Sequence, residues 1–383
     1  MPTLPLPSPQ ARAHSAQLRD FIHHDIEIQG GWIPFSRWME LALYAPGLGY
    51  YSAGTSKFGN AGDFVTAPEI SPLFGRTLAR QVCDIMTHSM PHVIELGAGS
   101  GQLAVDLLSE LEKMECLPER YDILEVSPDL RARQQKLLRQ KLPHLMQHVR
   151  WLSTLPDTIT GVLIGNEVLD ALPVHLVHWT EDRVLERGVA SSGKKFVWQE
   201  RLPQIPALLE IAQQINVPDD YLSEISLAAR GLVSSLCERL RHGAILFIDY
   251  GFGAREYYHP QRSEGTLMCH YRHHAHDDPF FLPGLQDITS HVDFSAVAEA
   301  AIDSGAAMLG YTTQAHFLIN CGITEFLEQA DPEKVRDYAP QSAQLQKLTS
   351  PAEMGELFKV IALGKGLEKP LRGFTIGEKS RLL

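Results

Sequence analysis

Residues 92–103, reading H-V-I-E-L-G-A-G-S-G-Q-L, constrain the fold of this chain more than any other stretch. Val93-Ile94-Glu95-Leu96 is a short apolar run of the kind that forms a buried strand, and it stops at Gly97-Ala98-Gly99-Ser100-Gly101. Beyond the glycines, Leu103, Leu107, Leu108 and Leu111 recur at helical spacing. A strand, a tight turn and a helix start make a place for a small ligand. Glycine lets the ligand approach the backbone with no Cβ in the way, and the amides at a helix start point into the opening.

The spacing narrows the ligand. A dinucleotide fingerprint is G-x-G-x-x-G, with the third glycine packing helix on strand. Here that third place is Gln102, and the last glycine comes one residue early, at Gly101. G-x-G-x-G preceded by an acid, Glu95, is the form used for S-adenosylmethionine (SAM), which carries an ammonium, a sulfonium and a carboxylate but no phosphate. On the pentapeptide alone, a dinucleotide and a ligand-free turn stay open. Residues 121–126 read as a second strand ending at Glu125, where a carboxylate in an open parallel sheet faces a ribose; the alternative is an exposed strand-end acid.

At 383 residues the chain is long enough for one elaborated domain or a domain with added lobes. Its formal net charge of -12 speaks against nonspecific nucleic-acid binding, which needs a basic footprint. Cys83, Cys116, Cys237, Cys269 and Cys321 are scattered and never in C-x-x-C spacing. That argues against a disulfide framework and a zinc site, and fits a reducing, cytoplasmic compartment. No apolar run approaches a membrane span. The proline-rich first residues lack the plan of a secretory signal and read as a disordered tail.

Helical patterns are expected over 11–29 and 35–44, then a Gly/Tyr/Ser-rich loop. Thr66-Ala67-Pro68-Glu69 resembles a capping box opening a long helix to about Thr87, so both residues have a purely structural reading. Further strands are expected at 149–152, 161–165, 244–251, 307–314 and 358–363, with helices between. Alternating residues over 174–199, with a turn at Ser191-Ser192-Gly193-Lys194, predict an inserted hairpin, followed by a helix over 223–241. The segment from 251 to about 289 reads as one long functional loop. Strands alternating with helices imply a doubly wound, mostly parallel α/β sheet.

Several motifs then fall in a fixed order: G-D-F-V-T-A-P-E-I-S from Gly62, E-L-G-A-G-S-G from Glu95, E-V-S-P from Glu125, G-N-E-V-L-D-A-L-P-V from Gly165, I-D-Y-G from Ile248 and H-V-D-F from His291. In this combination the chain resembles the MidA-type SAM-dependent methyltransferases from about residue 15 to 365. The mitochondrial member of that family is an assembly factor of respiratory complex I that methylates an arginine. Where the family commonly has proline and arginine in the glycine loop, this chain has Ala98 and Ser100, and the glycines are untouched. The resemblance implies a class I, Rossmann-like fold with a seven-stranded sheet, an N-terminal helical lobe and an inserted hairpin/helical lobe. It also implies SAM as cofactor and an arginine-bearing protein subunit as substrate; methyl transfer from SAM needs no metal, and none is expected. Expected cofactor contacts are Glu95, Gly97, Gly99, Gly101, Glu125, Val126 and Asn166, with Thr66 and Glu69. The expected division is a tail over 1–14, the helical lobe over 15–90, the SAM-binding domain over 91–173 and 242–366, the insert over 174–241 and a tail over 367–383.

Methyl transfer from a sulfonium chiefly requires a nucleophile placed in line behind the methyl carbon. An arginine guanidinium is protonated and delocalised, so it needs negative charge to bind and orient it. Glu167 and Asp170 follow the fourth strand, and in a helical turn their spacing would share one face. They are the expected clamp, against a reading in which Asp170 caps a turn and Glu167 is structural. The Asn/Asp-Pro-Pro-aromatic run of enzymes acting on amides or nucleobases is absent here. His270, His273, His274 and His276 with Asp277 and Asp278 read as a substrate-facing loop in preference to a metal site. His291 and Asp293 read first as a pair at a helix start and second as a group that removes a proton from the guanidinium. Asp249 and Tyr250 end a strand at the sheet's functional edge, with a substrate-side role or as a buried acid paired by a neighbouring N–H. The competing class is a non-catalytic assembly chaperone holding SAM; a nicotinamide dehydrogenase is disfavoured by Gln102.

Overall fold

The structure, a computed structural model, describes residues 4–53, 66–328 and 335–383. Residues 62–65, the start of the G-D-F-V-T-A-P-E motif, lie outside them. Two compact units divide the chain: Val65–Leu169, Leu232–Gly253 and Val292–Leu383 form one, and Met1–Phe64, Asp170–Gly231 and Ala254–His291 the other.

The larger unit is built on the expected strands: β1 (His92–Leu96), β2 (Arg120–Leu124), β3 (Val149–Leu152), β4 (Ile159–Asn166), β5 (Leu240–Phe252), β6 (Ala307–Thr313) and β7 (Phe358–Lys365). Their order across the sheet is β6-β7-β5-β4-β1-β2-β3, and the two-residue strand Val292–Asp293 also pairs with β5. β1 through β5 are parallel, whereas β7 runs antiparallel to both β5 and β6. This is the class I methyltransferase sheet. Strand order reverses between β1 and β4, and in open α/β sheets the crevice at such a switch point is where ligands bind. The glycine turn lies at that point. The Leu103, Leu107, Leu108 and Leu111 face of helix Gln102–Lys113 is buried, as its spacing predicts.

The helix expected from Thr66 to Thr87 is interrupted. Pro72 has no amide hydrogen and pushes Ser71 into an extended conformation (φ -158°), so a short helix Ala67–Ile70 gives way to a second, Pro72–Thr87. The cap is Ser71, whose Oγ accepts from Leu73 N at 3.1 Å; Thr66 makes no side-chain cap.

In the smaller unit, helices Pro9–Ile28 and Phe35–Tyr44 share a core with strand residues Leu176 and Val189. Its larger sheet orders Trp32–Pro34, Val184–Ser192, His175–Trp179 and Tyr221–Ile225, with Lys195–Arg201 added to Val184–Ser192. The predicted hairpin is the Val184–Ser192/Lys195–Arg201 pair, turning at Gly193 (φ 61°). The helix expected from 223 starts later, because Tyr221–Ile225 is a strand and helix Leu227–Arg239 follows it. The segment read as one long loop holds a second sheet of Met268–Tyr271, His274–His276 and Asp287–Thr289. Arg272 and His273, at φ 48° and 63°, make its two-residue turn, a conformation their sequence does not advertise.

Both expected tails are partly ordered. Ser8 caps a helix that begins at Pro9, inside the expected 1–14 tail. Within 367–383, Leu371 and Phe374 are buried in the core of the larger unit, and Gly373 N donates to Gln81 Oε1 at 2.8 Å. The cysteine reading also needs correcting: Cys83 and Cys116 form a disulfide with Cα atoms 6.0 Å apart. Pairing is decided by proximity in space, which spacing of 33 residues along the chain does not reveal. Among the described residues, no helix is long and apolar enough to cross a membrane.

Candidate functional site

The turn between β1 and its helix is shaped by backbone that only glycine adopts readily. Gly97, Gly99 and Gly101 have φ of 57°, 53° and 89°. A Cβ added to Gly97 would meet a single neighbour within 4 Å, Val168 Cγ2 at 3.7 Å, so space opens beside it. At Gly101 an added Cβ would press on Gln134 at 3.3 Å, so this glycine serves helix packing.

Glu95 ends buried at the tip of β1, accepting from the Tyr121 hydroxyl at 2.7 Å across to β2. Burial raises its pKa to about 7, the Tyr121 bond opposing the rise and the charge of Glu125 adding to it. Glu125, just past β2, accepts from Ser127 N at 2.8 Å on Oε1 and from Gln134 Nε2 at 2.9 Å on Oε2. Val126 beside it is 73% exposed, an apolar surface next to a held carboxylate. Glu69 accepts from the Ser100 hydroxyl, which ties the short helix Ala67–Ile70 to the glycine turn. Thr66 contributes its carbonyl, accepting from the amides of Glu69 and Ile70 at 3.0 and 3.1 Å.

At the end of β4 the Asn166 amide donates to Glu167 Oε1 at 3.2 Å, and Asn166 Oδ1 is buried with no hydrogen-bond partner among the described residues. Glu167 sits at φ 52°, left-handed for a residue with a side chain, and its amide donates to Ile248 O at 2.8 Å. The segment carrying Glu167 and Asp170 is therefore a set of turns and bends, and no helical face joins the two. Asp249 of β5 holds it: Oδ2 accepts from Val168 N at 3.1 Å and Leu169 N at 2.9 Å. The same Val168 side chain faces Gly97. Asp170 is the first residue assigned to the smaller unit, where it is buried. There its charge acts on Tyr51, whose hydroxyl is held well above its ordinary pKa by burial first, then by Asp287, Tyr44 and Asp170. Tyr51 itself donates to Asp287 at 2.9 Å, and Tyr44 donates to Ala171 O at 2.9 Å. Asp293 resolves as a cap, its Oδ1 accepting from Ser295 and Ala296 amides at 3.0 and 3.2 Å.

Sequence reasoning missed Tyr121, Gln134 and the span of Asp249. Gln134 and Tyr121 lie inside regular elements where nothing in the local pattern separates them from core or helix-face residues. Asp249 is the buried strand-end acid paired with neighbouring N–H groups that the sequence offered as one of two readings, but its reach to the loop after β4 was not legible.

The geometry suits SAM. A glycine cradle with open space beside Gly97 sits at the switch point, a buried acceptor on Asn166 awaits a donor, and a carboxylate is braced beyond the adjacent strand. The comparisons agree. A family described as "Putative S-adenosyl-L-methionine-dependent methyltransferase" matches residues 77–312. A protein from Burkholderia thailandensis, in a crystal structure bound to S-adenosyl-homocysteine, is 48% identical, covers 100% of both chains and superposes with a TM-score of 0.97. The chain is also similar to "Protein arginine methyltransferase NDUFAF7 homolog, mitochondrial" of Drosophila melanogaster, at 29% identity over 90% of this chain and 86% of that protein. The protein arginine methyltransferase NDUFAF7 of Danio rerio is 28% identical over 91% of this chain and 90% of its own length. With its sheet, its glycine turn and this match over most of its length, the chain belongs to the SAM-dependent methyltransferase family described above, and SAM is its cofactor.

Proposed function

We propose that this methyltransferase acts on an arginine of a protein subunit, one belonging to a complex I-type respiratory enzyme. The observation that carries the reading is the likeness, over most of the chain, to relatives named as protein arginine methyltransferases. It is supported by the acids following β4. Bound SAM supplies a methyl carbon already activated by its sulfonium. Glu95, Gly97, Gly99, Gly101, Glu125, Val126, Asn166, Thr66 and Glu69 are assigned to holding it. In this assignment Glu125 accepts from the ribose hydroxyls, Val126 lies against the adenine and Asn166 takes a donor from the methionine end.

Glu167 and Asp170 bind the guanidinium and orient one nitrogen toward the methyl carbon. A nitrogen–carbon bond forms as the carbon–sulfur bond breaks, and the proton displaced from that nitrogen passes to the Glu167 carboxylate. The bent backbone at Glu167, fixed through Val168 and Leu169 by Asp249, is what aims that carboxylate in this reading.

The test is transfer of label from tritiated SAM to protein in an extract of cells lacking the enzyme. Base-resistant label on arginine is expected. Glu167→Gln is expected to lower incorporation at least about 100-fold, the scale of a lost charge acting at the reacting atoms, while S-adenosyl-homocysteine still binds within about threefold. Unchanged incorporation removes Glu167 from the reaction, and base-labile label places the methyl on a carboxylate instead of arginine.

A further inference from the structure

Helix Pro128–Lys141 carries a fully buried glutamine, Gln134, whose amide uses every polar atom it has. Nε2 donates to Gly99 O at 3.0 Å and to Glu125 Oε2 at 2.9 Å, and Oε1 accepts from Trp151 Nε1 at 3.0 Å. This fixes which way the amide points. Flipped, it would set Oε1 against a carbonyl and a carboxylate and set Nε2 against an N–H donor. Trp151, on β3, therefore determines that two hydrogens face the glycine turn and the acid of β2. Gly101 completes the contact, since any Cβ there would press on Gln134 at 3.3 Å.

We propose that Gln134 is a positioning residue for the cofactor's ribose: it sets the distance and orientation between the Gly99 backbone and the Glu125 carboxylate, so that Glu125 recognises the ribose hydroxyls. A carboxylate is free to rotate about its side-chain bonds, and its hydrogen-bonding power depends on which lone pairs face the ligand. With Ser127 N on Oε1 and Gln134 Nε2 on Oε2, that rotation is arrested. The same amide grips Gly99 O, so acid and turn move as one body. Discrimination for a ribose is then a property of the whole set around Gln134, of which Glu125 alone touches the sugar. The inference rests on the assignment of Glu125 to the ribose, and the experiment separates the two.

The full-length protein is titrated by calorimetry with S-adenosyl-homocysteine and with its 2′-deoxyribose analogue. The ratio of the two dissociation constants reads ribose recognition alone, because a general loss of packing weakens both ligands together. The unaltered protein is expected to prefer the hydroxylated ligand by roughly tenfold to a hundredfold, as for a hydrogen bond to a charged group. Glu125→Gln should reduce that preference to about threefold or less, and so should Gln134→Met, which keeps the side chain's length and removes its donors. A preference kept in Gln134→Met but lost in Glu125→Gln overturns the role of Gln134 and leaves Glu125 in place. A preference kept in Glu125→Gln overturns the ribose assignment itself. If Gln134→Met does not fold, Trp151→Phe decides: it keeps the glutamine but releases its orientation. A preference reduced at least about threefold there supports the inference, and an unchanged one overturns it.

Discussion

Glu95 shows what burial does to one residue at this site. Its carboxyl is raised from 4.5 to about 7, chiefly by removal from water. A raised carboxyl binds a proton more tightly folded than unfolded, so its contribution favours the folded state below the ordinary carboxylate range. That contribution falls as pH climbs from about 4.5 toward 7, and above 7 the full cost of the buried charge is present. The slope is at most about 1.4 kcal/mol per pH unit. Glu95→Gln should flatten it, so urea unfolding across that window should show the variant gaining on the parent as pH rises. A parallel pair of curves would mean the group titrates normally. Asp106, raised to about 6 by burial and bonded by Gln102, contributes in the same direction and stays in both proteins.

At the scale of elements, one strand governs the loop after its neighbour. Asp249 accepts from Val168 and Leu169 with one oxygen and from Tyr250 N at 3.0 Å with the other. Asp249→Ala strands those amides, and buried groups without partners cost about 1–3 kcal/mol each. A stability loss of about 2–4 kcal/mol is expected, with hydrogen exchange at Val168 and Leu169 becoming fast while exchange in β1 keeps its order. Slow exchange at both amides in the variant would show that something else holds the loop. Most of the sheet was legible in the sequence, because buried parallel strands are continuous apolar runs and the glycine turn fixes where the first of them ends. Helix Phe35–Tyr44 and strand Val149–Leu152 were likewise readable to the residue. The Thr66 cap was not, since Ser71-Pro72 offers a rival stop within the same few residues. Tyr221–Ile225 was hidden by merging into a helical pattern, and the bonds of Gln134 and Tyr121 join residues whose neighbourhood exists only once the strands pair.

For the whole molecule, the disulfide is the feature least expected of a chain with few, scattered cysteines. It joins helix Pro72–Thr87 to the residues just beyond helix Gln102–Lys113, bracketing β1 and the glycine turn. A cross-link of this separation restricts the unfolded chain, typically by about 2–4 kcal/mol. The double variant Cys83→Ser, Cys116→Ser should lose about that much in non-reducing urea unfolding. Alkylation of the unfolded, unreduced protein should modify Cys237, Cys269 and Cys321 and spare the bonded pair. Labelling of Cys83 or Cys116 in that experiment would contradict the bond.

The placement of β7 between β5 and β6 has a consequence for biosynthesis. A ribosome delivers β5 and β6 long before Phe358 emerges, and until then their facing edges have no strand between them. The adenosyl cradle lies beyond β5, between β4 and β1, so its strands are all made before the last gap in the sheet is filled. A nascent chain stalled short of Phe358 would display two adhesive borders to every neighbouring polypeptide, and would need shielding until translation moved on.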